Sequence, residues 1–552
     1  MSGSPILFLV RPRYAERLVH WRQASLSPLL IRCGWIANPA VLATESVAMT
    51  FASAMVTTPL AALLALLITP WAALVALVPL VFFVLPELRL RDRIAQRREG
   101  VERELPFFSV VANVLAEAGV PLYIVLRDMA TSDMFSSIRQ EALLVRRDVS
   151  IFGMNPNESI ERLAASHPSG RFADFLLGYT SKSRSGGDVA LYLMGESGTL
   201  LRGLEGGWSR YVSQVGVVGS VMITAFGVVP LMLTVVGVFS PSFSFTSLFI
   251  YTLVVVPSVA IALLLFAGRA QPVREEPVSG RAGISILVSL PGALAAAFIG
   301  GLWASVGAAL LVFLVAYGLS VREQIAQTRD IEDGIARFLK DLLDFKRQDY
   351  DLTRAVLAIQ GSTRYNPRFD RLLSRVASQL KAGVPLDEIR AECRSRMGQL
   401  AFLLLGQMSR SGGGTVDTVY QISNFTDRMA DMKKSAAAEI RPYQILAYIS
   451  PLLLSFGIAF VGSVLSRVNR TAGPAIAGLG ASMAQGSASQ FPLGQISDLL
   501  IIVSAAALGL VSAKISDFTA KNTLKASVNV ALAIAAIAVT LSGGTHSLLQ
   551  SL

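Results

Sequence analysis

Cysteine and histidine are scarce in this sequence. Its 552 residues hold two cysteines, Cys33 and Cys393, and three histidines, His20, His167 and His546. Two thiols so far apart argue against a disulfide framework or a structural zinc site. The histidines are scattered, and His167 has no HExxH-type partner, so no metal or catalytic cluster is expected. Charge is also sparse, at 16% Asp, Glu, Lys and Arg. Soluble domains carry roughly 25%. With 53% hydrophobic residues and a mean hydropathy of +0.54, the shortage points to membrane spans. Within the apolar runs ionisable residues are nearly missing, since Glu45, Glu87 and Asp498 lie at edges. A charge at the centre of a span costs roughly 3 kcal/mol or more and is kept mainly for ion or proton coupling. That absence counts against an ion-coupled transporter or pump, and against an intramembrane protease.

Motifs of soluble chemistry are missing as well. Gly412-Gly413-Gly414-Thr415 lacks the Lys-Ser/Thr of a P-loop and follows no strand, and Gly186-Gly187 fails the same test. Both read as helix stops with left-handed caps. There is no GxSxG elbow, DFG or HRD. No catalytic residue, cofactor or metal is expected. The net charge of +11 lacks the basic–aromatic clusters of a nucleic-acid binder, so no nucleic-acid partner is expected. A cleavable signal peptide is not expected, because Ile6 to Val10 is too short and Arg11 and Arg13 follow it.

What is present alternates between apolar and charged blocks. Residues 1–46 form a basic amphipathic arm, with Arg11, Arg13, Arg17, Arg22 and Arg32 around Trp21 and Trp35. Residues 47–88 read as a transmembrane hairpin turning at Thr69-Pro70. Residues 89–214 are charged and helix-patterned: Leu105, Phe108, Ala112 and Leu115 share a face, Pro106 fits a first turn, and Asn155-Pro156 looks like a helix start. Residues 215–319 read as four spans, turning near Ser240-Pro241 and at Gly300-Gly301. Trp208 and Tyr211 stand before them like an interfacial belt. Residues 320–442 repeat the charged pattern, with Ile335, Phe338, Leu342 and Phe345 on one face. Residues 443–552 read as three spans with an external Gly/Ala/Ser-rich loop at 469–494. Gly216, Gly219, Gly227 and Gly237 suit close helix packing, and Asn529 suits a polar contact between helices.

The fold class is therefore all-α: a polytopic membrane protein with about nine transmembrane helices and two duplicated helical bundles. Four crossings separate the two bundles, an even number, so both face one side. The arm, the Arg269–Arg281 loop and the Lys514–Lys525 loop carry the basic residues on that side. By the positive-inside rule the bundles and N-terminus are cytoplasmic, and the C-terminus is outside.

Two stretches tie the blocks together. FADFLLGYTSKSRSGGDV begins at Phe172, and LAFLLLGQMSRSGGGTVD begins at Leu400, 228 residues later. Both read Leu-Leu-Gly, two variable residues, Ser, a basic residue, Ser, then a Gly pair. That spacing suggests duplicated domains rather than a short repeat. The basic residue is Lys182 in one and Arg410 in the other. Arg184, Arg364, Arg368, Arg371, Arg394 and Arg396 add positive charge, giving eight candidate docking residues. The second copy reads Gln348-Asp349-Tyr350 where the first has Gly119-Val120-Pro121, a departure that could mean different partners.

Bundle then spans, stated twice, with the Leu-Leu-Gly-x-x-Ser-Lys/Arg-Ser stretch, resembles the type II secretion system F domain. The long, doubled form is most similar to archaeal platform proteins of archaella and pili, of the ArlJ (FlaJ) or TadC-like kind. The resemblance implies a non-enzymatic platform in the cell membrane that docks a hexameric secretion ATPase and couples it to pilin- or archaellin-like subunits. It also implies a homodimer surrounded by membrane lipid. A rival reading is a permease driven by a separate ATPase. That requires a polar path, for which the spans offer little.

Overall fold

The computed structural model describes residues 13–34, 38–67, 77–132, 134–239, 245–273, 280–389, 391, 393–411, 414–471 and 493–541. Readings that rest on Arg11, Trp35, Thr69-Pro70, Ser240-Pro241, Arg274, Gly412-Gly413 and most of the 469–494 loop lie outside these residues. Every element assigned among the described residues is helical. Among the described residues six helices are long and apolar enough to cross a membrane, and Ala282–Ala297 and Leu524–Thr540 are shorter apolar helices. The protein is an all-α polytopic membrane protein. Its chain forms two compact units, Met1–Leu201 and Arg202–Leu552.

In the first unit, α1 (Arg13–Cys33), α2 (Pro39–Leu67) and α3 (Val78–Glu117) pack around Leu26, Leu30, Ala43 and Leu90. Arg22, one of the arm's basic residues, is interior, at 2% exposed. Its guanidinium donates to Glu87 at 2.8 Å and to the Phe83 carbonyl at 2.7 Å, and lies over the Phe83 ring. A carboxylate, a carbonyl and an aromatic face together make burial of this charge tolerable. Pro106 is not in a first turn. It lies well inside α3, which runs on from Val78. The missing N–H costs roughly 3 kcal/mol, against which stands the burial of Leu105, Phe108, Ala112 and Leu115 on the expected face and of Val110, Val111 and Val114 beyond it.

The bundle of this unit continues with α4 (Leu122–Met129), α5 (Ser136–Ser150), α6 (Pro156–Ser166) and α7 (Gly170–Arg184). Phe108 is its centre, edge-on to Phe135 and Phe175. The N-terminus of α5 points at Glu104, whose carboxylate accepts from the N–H groups of Ser137 and Ile138 at 3.0 and 2.9 Å. Such a contact satisfies donors that the helix cannot pair itself. Asn155 caps α6 as its sequence suggests. His167 is an interior residue: its Nδ1 accepts from the Ser169 N–H, and its ring packs on Phe172.

Helix α8 (Val189–Ile223) leads into the second unit and is followed by a π-helical turn, Thr224–Val228, and α9 (Val229–Phe239). Next come α10 (Phe245–Ile250), a second π turn, Tyr251–Val255, and α11 (Val256–Ala270). The two wide turns meet, because Tyr251 Oη donates to the Ala225 carbonyl at 2.5 Å.

Helical geometry is continuous over α12 (Ala282–Arg347), yet the run folds back on itself. Gly280 abuts Tyr317 and Val321, and Gly292 abuts Val312. A straight helix cannot bring such pairs together. The chain therefore reverses between Gly292 and Val312, a stretch that holds Gly300-Gly301. The rest is α13 (Leu352–Ser362), α14 (Pro367–Lys381), α15 (Arg396–Arg410), α16 (Val416–Thr471), α17 (Leu493–Ser516) and α18 (Leu524–Leu541). Helix α17 is the most enclosed of the apolar helices, packed through Ile501, Ile502 and Ala505 against Leu314, Leu454, Val530 and Ile537.

Two readings of the membrane part need correction. Trp208 and Tyr211 are not a lipid-facing belt: they are 3% and 0% exposed and pack with Phe518 of the α17–α18 loop, Trp208 edge-on to it and Tyr211 tilted. Asn529 is fully buried, but neither amide atom has a hydrogen-bond partner among the described residues, so it does not link helices through its amide. The glycine reading holds at three positions: Gly216 and Gly219 make room for the Tyr443 ring, and Gly227 lies against the Ser450 hydroxyl of the same helix.

Candidate docking surfaces

The blocks at 89–214 and 320–442 share backbone events in the same order. In the first, Gly119, Gly153 and Gly186 are left-handed and end helices; in the second, Asp349, Gly383 and Gly414 do so. Each lies about 228 residues beyond its counterpart. Val120 and Tyr350 donate back to Leu115 and Phe345 across the first of these turns. The sequence departure at Gln348-Asp349-Tyr350 is therefore no structural departure, since Asp349 adopts φ 65° where Gly119 has 75°. The blocks differ elsewhere. The first has α6 between its second and third turns, whereas the described residues of the second show a turn at Leu386–Glu388 before α15.

A pair that sequence reasoning missed also recurs. Ser169 caps α7 and its hydroxyl donates to Glu102; Ser395 caps α15 and donates to Glu332. Each serine thus fastens the start of the helix that carries the Leu-Leu-Gly stretch to the helix that opens its block. The signal was local, a serine three residues before the first buried N–H of a helix, but its acidic partner lies far away in sequence. Within the stretch itself, Gly178 faces the Tyr192 ring, and Gly406 faces the backbone of Leu386 and Asp387.

The eight candidate residues do not form one patch. Lys182 and Arg184 occupy the last turn of α7, and Arg410 that of α15. Lys182 is exposed and has no ion-pair partner among the described residues, whereas Arg184 pairs with Glu161 at 2.7 Å. Arg368, Arg371 and Arg394 gather at residues 323–330 of α12. There Arg368 pairs with Asp330 at 2.5 Å and Glu323 at 3.3 Å, and Arg394 donates to Gln324 at 2.7 Å. Glu323 also feels the charge of the exposed Arg371. Arg364 is exposed in the link before α14. Arg396 is half-buried at the start of α15, about 21 Å along the axis from Arg410 at 1.5 Å per residue. The matched helix ends at Lys182 and Arg410 are thus distinct from the group around Glu323–Asp330.

Two titratable groups brace the blocks from inside. Burial pushes the Glu141 carboxyl up, but hydrogen bonds and charge from Arg97, with His167 beside it, outweigh that and hold it below the usual carboxylate range. Arg97 grips both its oxygens, at 2.7 and 2.5 Å. Burial and the Asp341 carboxylate raise the Tyr365 phenol well above its ordinary value, so it serves as a permanent donor to Asp341.

Residues 107–237 match the family Type II secretion system (T2SS), protein F. The chain carries a type II secretion system F domain. The matched residues run from the core of α3 at Phe107, through the first bundle, to α9. No curated protein and no solved structure matches the chain. An F domain is the mark of the membrane platform of secretion and pilus systems, and the apolar helices that follow this one agree with a multi-pass membrane protein.

Proposed function

We propose that this protein is the cell-membrane platform on which a type IV pilus-like filament or archaellum is assembled. The observation that carries the reading is the F domain at residues 107–237, running from a charged helical bundle into apolar helices. The second block is a second F-type bundle, a view supported by its matched left-handed turns and Ser–Glu pair. Both bundles face the cytoplasm with the N-terminus, and the C-terminus is outside, in keeping with the basic residues that flank the apolar helices. A hexameric secretion ATPase docks on the helix ends at Lys182 and Arg410. Its motion reaches pilin- or archaellin-like subunits through the frame of membrane helices. The platform works as a homodimer. Arg364, Arg368, Arg371, Arg394 and Arg396 would form a second contact area, separate from those helix ends.

In-cell photo-crosslinking from probes at Ser183, Arg364 and Ser411, with mass spectrometry of the adducts, tests this. Adducts to a hexameric secretion ATPase are expected from Ser183 and Ser411. Adducts to a transporter-type ATPase alone would replace the platform reading with a permease. A paired charge reversal, Lys182→Glu with Arg410→Glu, should abolish filaments while leaving membrane insertion intact. Normal filaments in that variant would remove the docking role from these two residues.

A further inference from the structure

Five apolar helices of the second unit bring their charged ends to one place. Arg269 ends α11, Arg322 follows the apolar part of α12, Arg441 precedes that of α16, Lys514 lies near the end of α17 and Lys525 near the start of α18. All five line one groove of about 1660 Å³. Ten of its lining residues are Lys or Arg, and four are Asp or Glu. The lysines are engaged: Lys433 with Glu332, Lys525 with Asp517, and Lys514 with Gln271 and the Phe518 carbonyl. Arg269, Arg322, Arg329 and Arg441 are exposed and have no ion-pair partner among the described residues. Such an excess of unpaired guanidinium groups attracts an anion, and their planar forks suit phosphate oxygens.

The groove's other wall says which anion. Leu264, Leu265 and Val528 line it on the membrane side, with Leu265 61% and Val528 48% exposed. A cationic rim above an exposed apolar wall, where spans become charged, matches a molecule with an anionic head and a hydrocarbon tail. The volume exceeds the about 300–1,000 Å³ of small-molecule pockets. We propose that this groove binds an anionic glycerophospholipid of the adjacent leaflet, its phosphate among Arg322, Arg329 and Arg441 and its acyl chains along Leu265 and Val528. The proposal does not depend on the docking reading, because the site is built from the second unit alone.

The test uses the full-length protein, delipidated in detergent and exposed to equal amounts of phosphatidylglycerol and phosphatidylcholine. Native mass spectrometry then counts the retained lipids. Phosphatidylglycerol should be retained in preference. The double variant Arg322→Gln, Arg441→Gln should lower its retention by roughly ten- to thirty-fold, at about fivefold per charge. A control, Lys346→Gln with Arg347→Gln at the far end of α12, should retain it fully. Equal retention of the two lipids, or equal loss in both variants, would overturn the proposal. So would inorganic phosphate or polyglutamate binding the lipid-free protein as tightly as the lipid, with the same loss in the double variant; the groove would then belong to a soluble anion or an acidic partner segment. If the double variant does not fold, the unsubstituted protein still decides. Its melting temperature should rise with phosphatidylglycerol and not with phosphatidylcholine or phosphate, and no difference among the three refutes the site.

Discussion

The Ser395 hydroxyl accepts from the Gly398 N–H at 3.2 Å while donating to the Glu332 carboxylate at 3.2 Å. One side chain therefore starts α15 and fixes where it starts relative to α12. Ser169 does the same in the first block with Phe172 and Glu102. An N-cap alone is worth about 0.5–2 kcal/mol. Ser395→Ala should cost about 1–2 kcal/mol in the unfolding of the full-length protein, measured by denaturant titration in detergent. Ser395→Asp keeps a capping oxygen but sets a second carboxylate against Glu332, so it should be no more stable than the alanine variant. A fully stable aspartate variant would mean that the cap matters and the Glu332 contact does not.

The Leu-Leu-Gly glycines are matched in sequence and differ in what they touch. A Cβ on Gly406 would lie 2.9 Å from the Asp387 Cα and 3.0 Å from the Leu386 carbonyl oxygen, and backbone does not yield easily. At Gly178 the obstacle is the Tyr192 ring, a side chain. Both alanine variants should be destabilised by about 1–3 kcal/mol. Tyr192→Leu should rescue Gly178→Ala, as read by melting temperature. If that pair remains as unstable as Gly178→Ala alone, the ring is not the constraint.

Asp349 holds a left-handed conformation that its counterpart Gly119 holds without a Cβ. For an L-residue that conformation costs about 1–2 kcal/mol, less for Asp and Asn. Asp349→Gly should therefore leave stability unchanged or raise it by up to about 1 kcal/mol, even though glycine is usually destabilising near a helix end. A loss above 1 kcal/mol in thermal unfolding would show that the Asp349 side chain makes a contribution beyond its backbone.

These cases show what the sequence carried and what it did not. The apolar faces at Leu105–Leu115 and Ile335–Leu342 were legible because helical period alone decides them. The glycine stops were legible because left-handed backbone favours glycine, and for that same reason Asp349 was misread. Pro106 was placed at a helix start because nothing local says that α3 continues from the hairpin. Trp208 and Tyr211 looked interfacial because their cover, Phe518, comes from a loop about 300 residues away. The basic groove was split among five helix ends, each of which alone reads only as topology.

Asn529 offers a direct test of polar burial in the membrane part. Its amide is enclosed with no partner among the described residues, and an unsatisfied buried amide costs about 1–3 kcal/mol. Asn529→Leu should raise the melting temperature of the detergent-solubilised protein. If the amide were instead a link between helices, the same substitution would lower it.

Arg97 and Glu141 give the chain a pH signature of known sign. Glu141 is 2% exposed and is held ionised by Arg97. Its carboxyl lies below its ordinary value of 4.5 in the folded protein, so the pair contributes fully above about pH 4.5 and is lost as pH falls through the lower folded value. The unsubstituted protein should thus show no loss from this pair between about pH 7.5 and 5.5. Removing the guanidinium with Arg97→Ala strands a buried carboxylate and should cost about 3–5 kcal/mol near neutral pH. Burial then dominates and raises the Glu141 carboxyl, so the sign reverses: the folded variant binds a proton that the unfolded chain does not, and acidification to about pH 5.5 should recover part of the loss. Adding Glu141→Gln to Arg97→Ala should abolish that recovery. Thermal unfolding of the three proteins at both pH values reads all of this. An Arg97→Ala variant that loses stability on acidification would mean that Glu141 is kept charged by something other than Arg97.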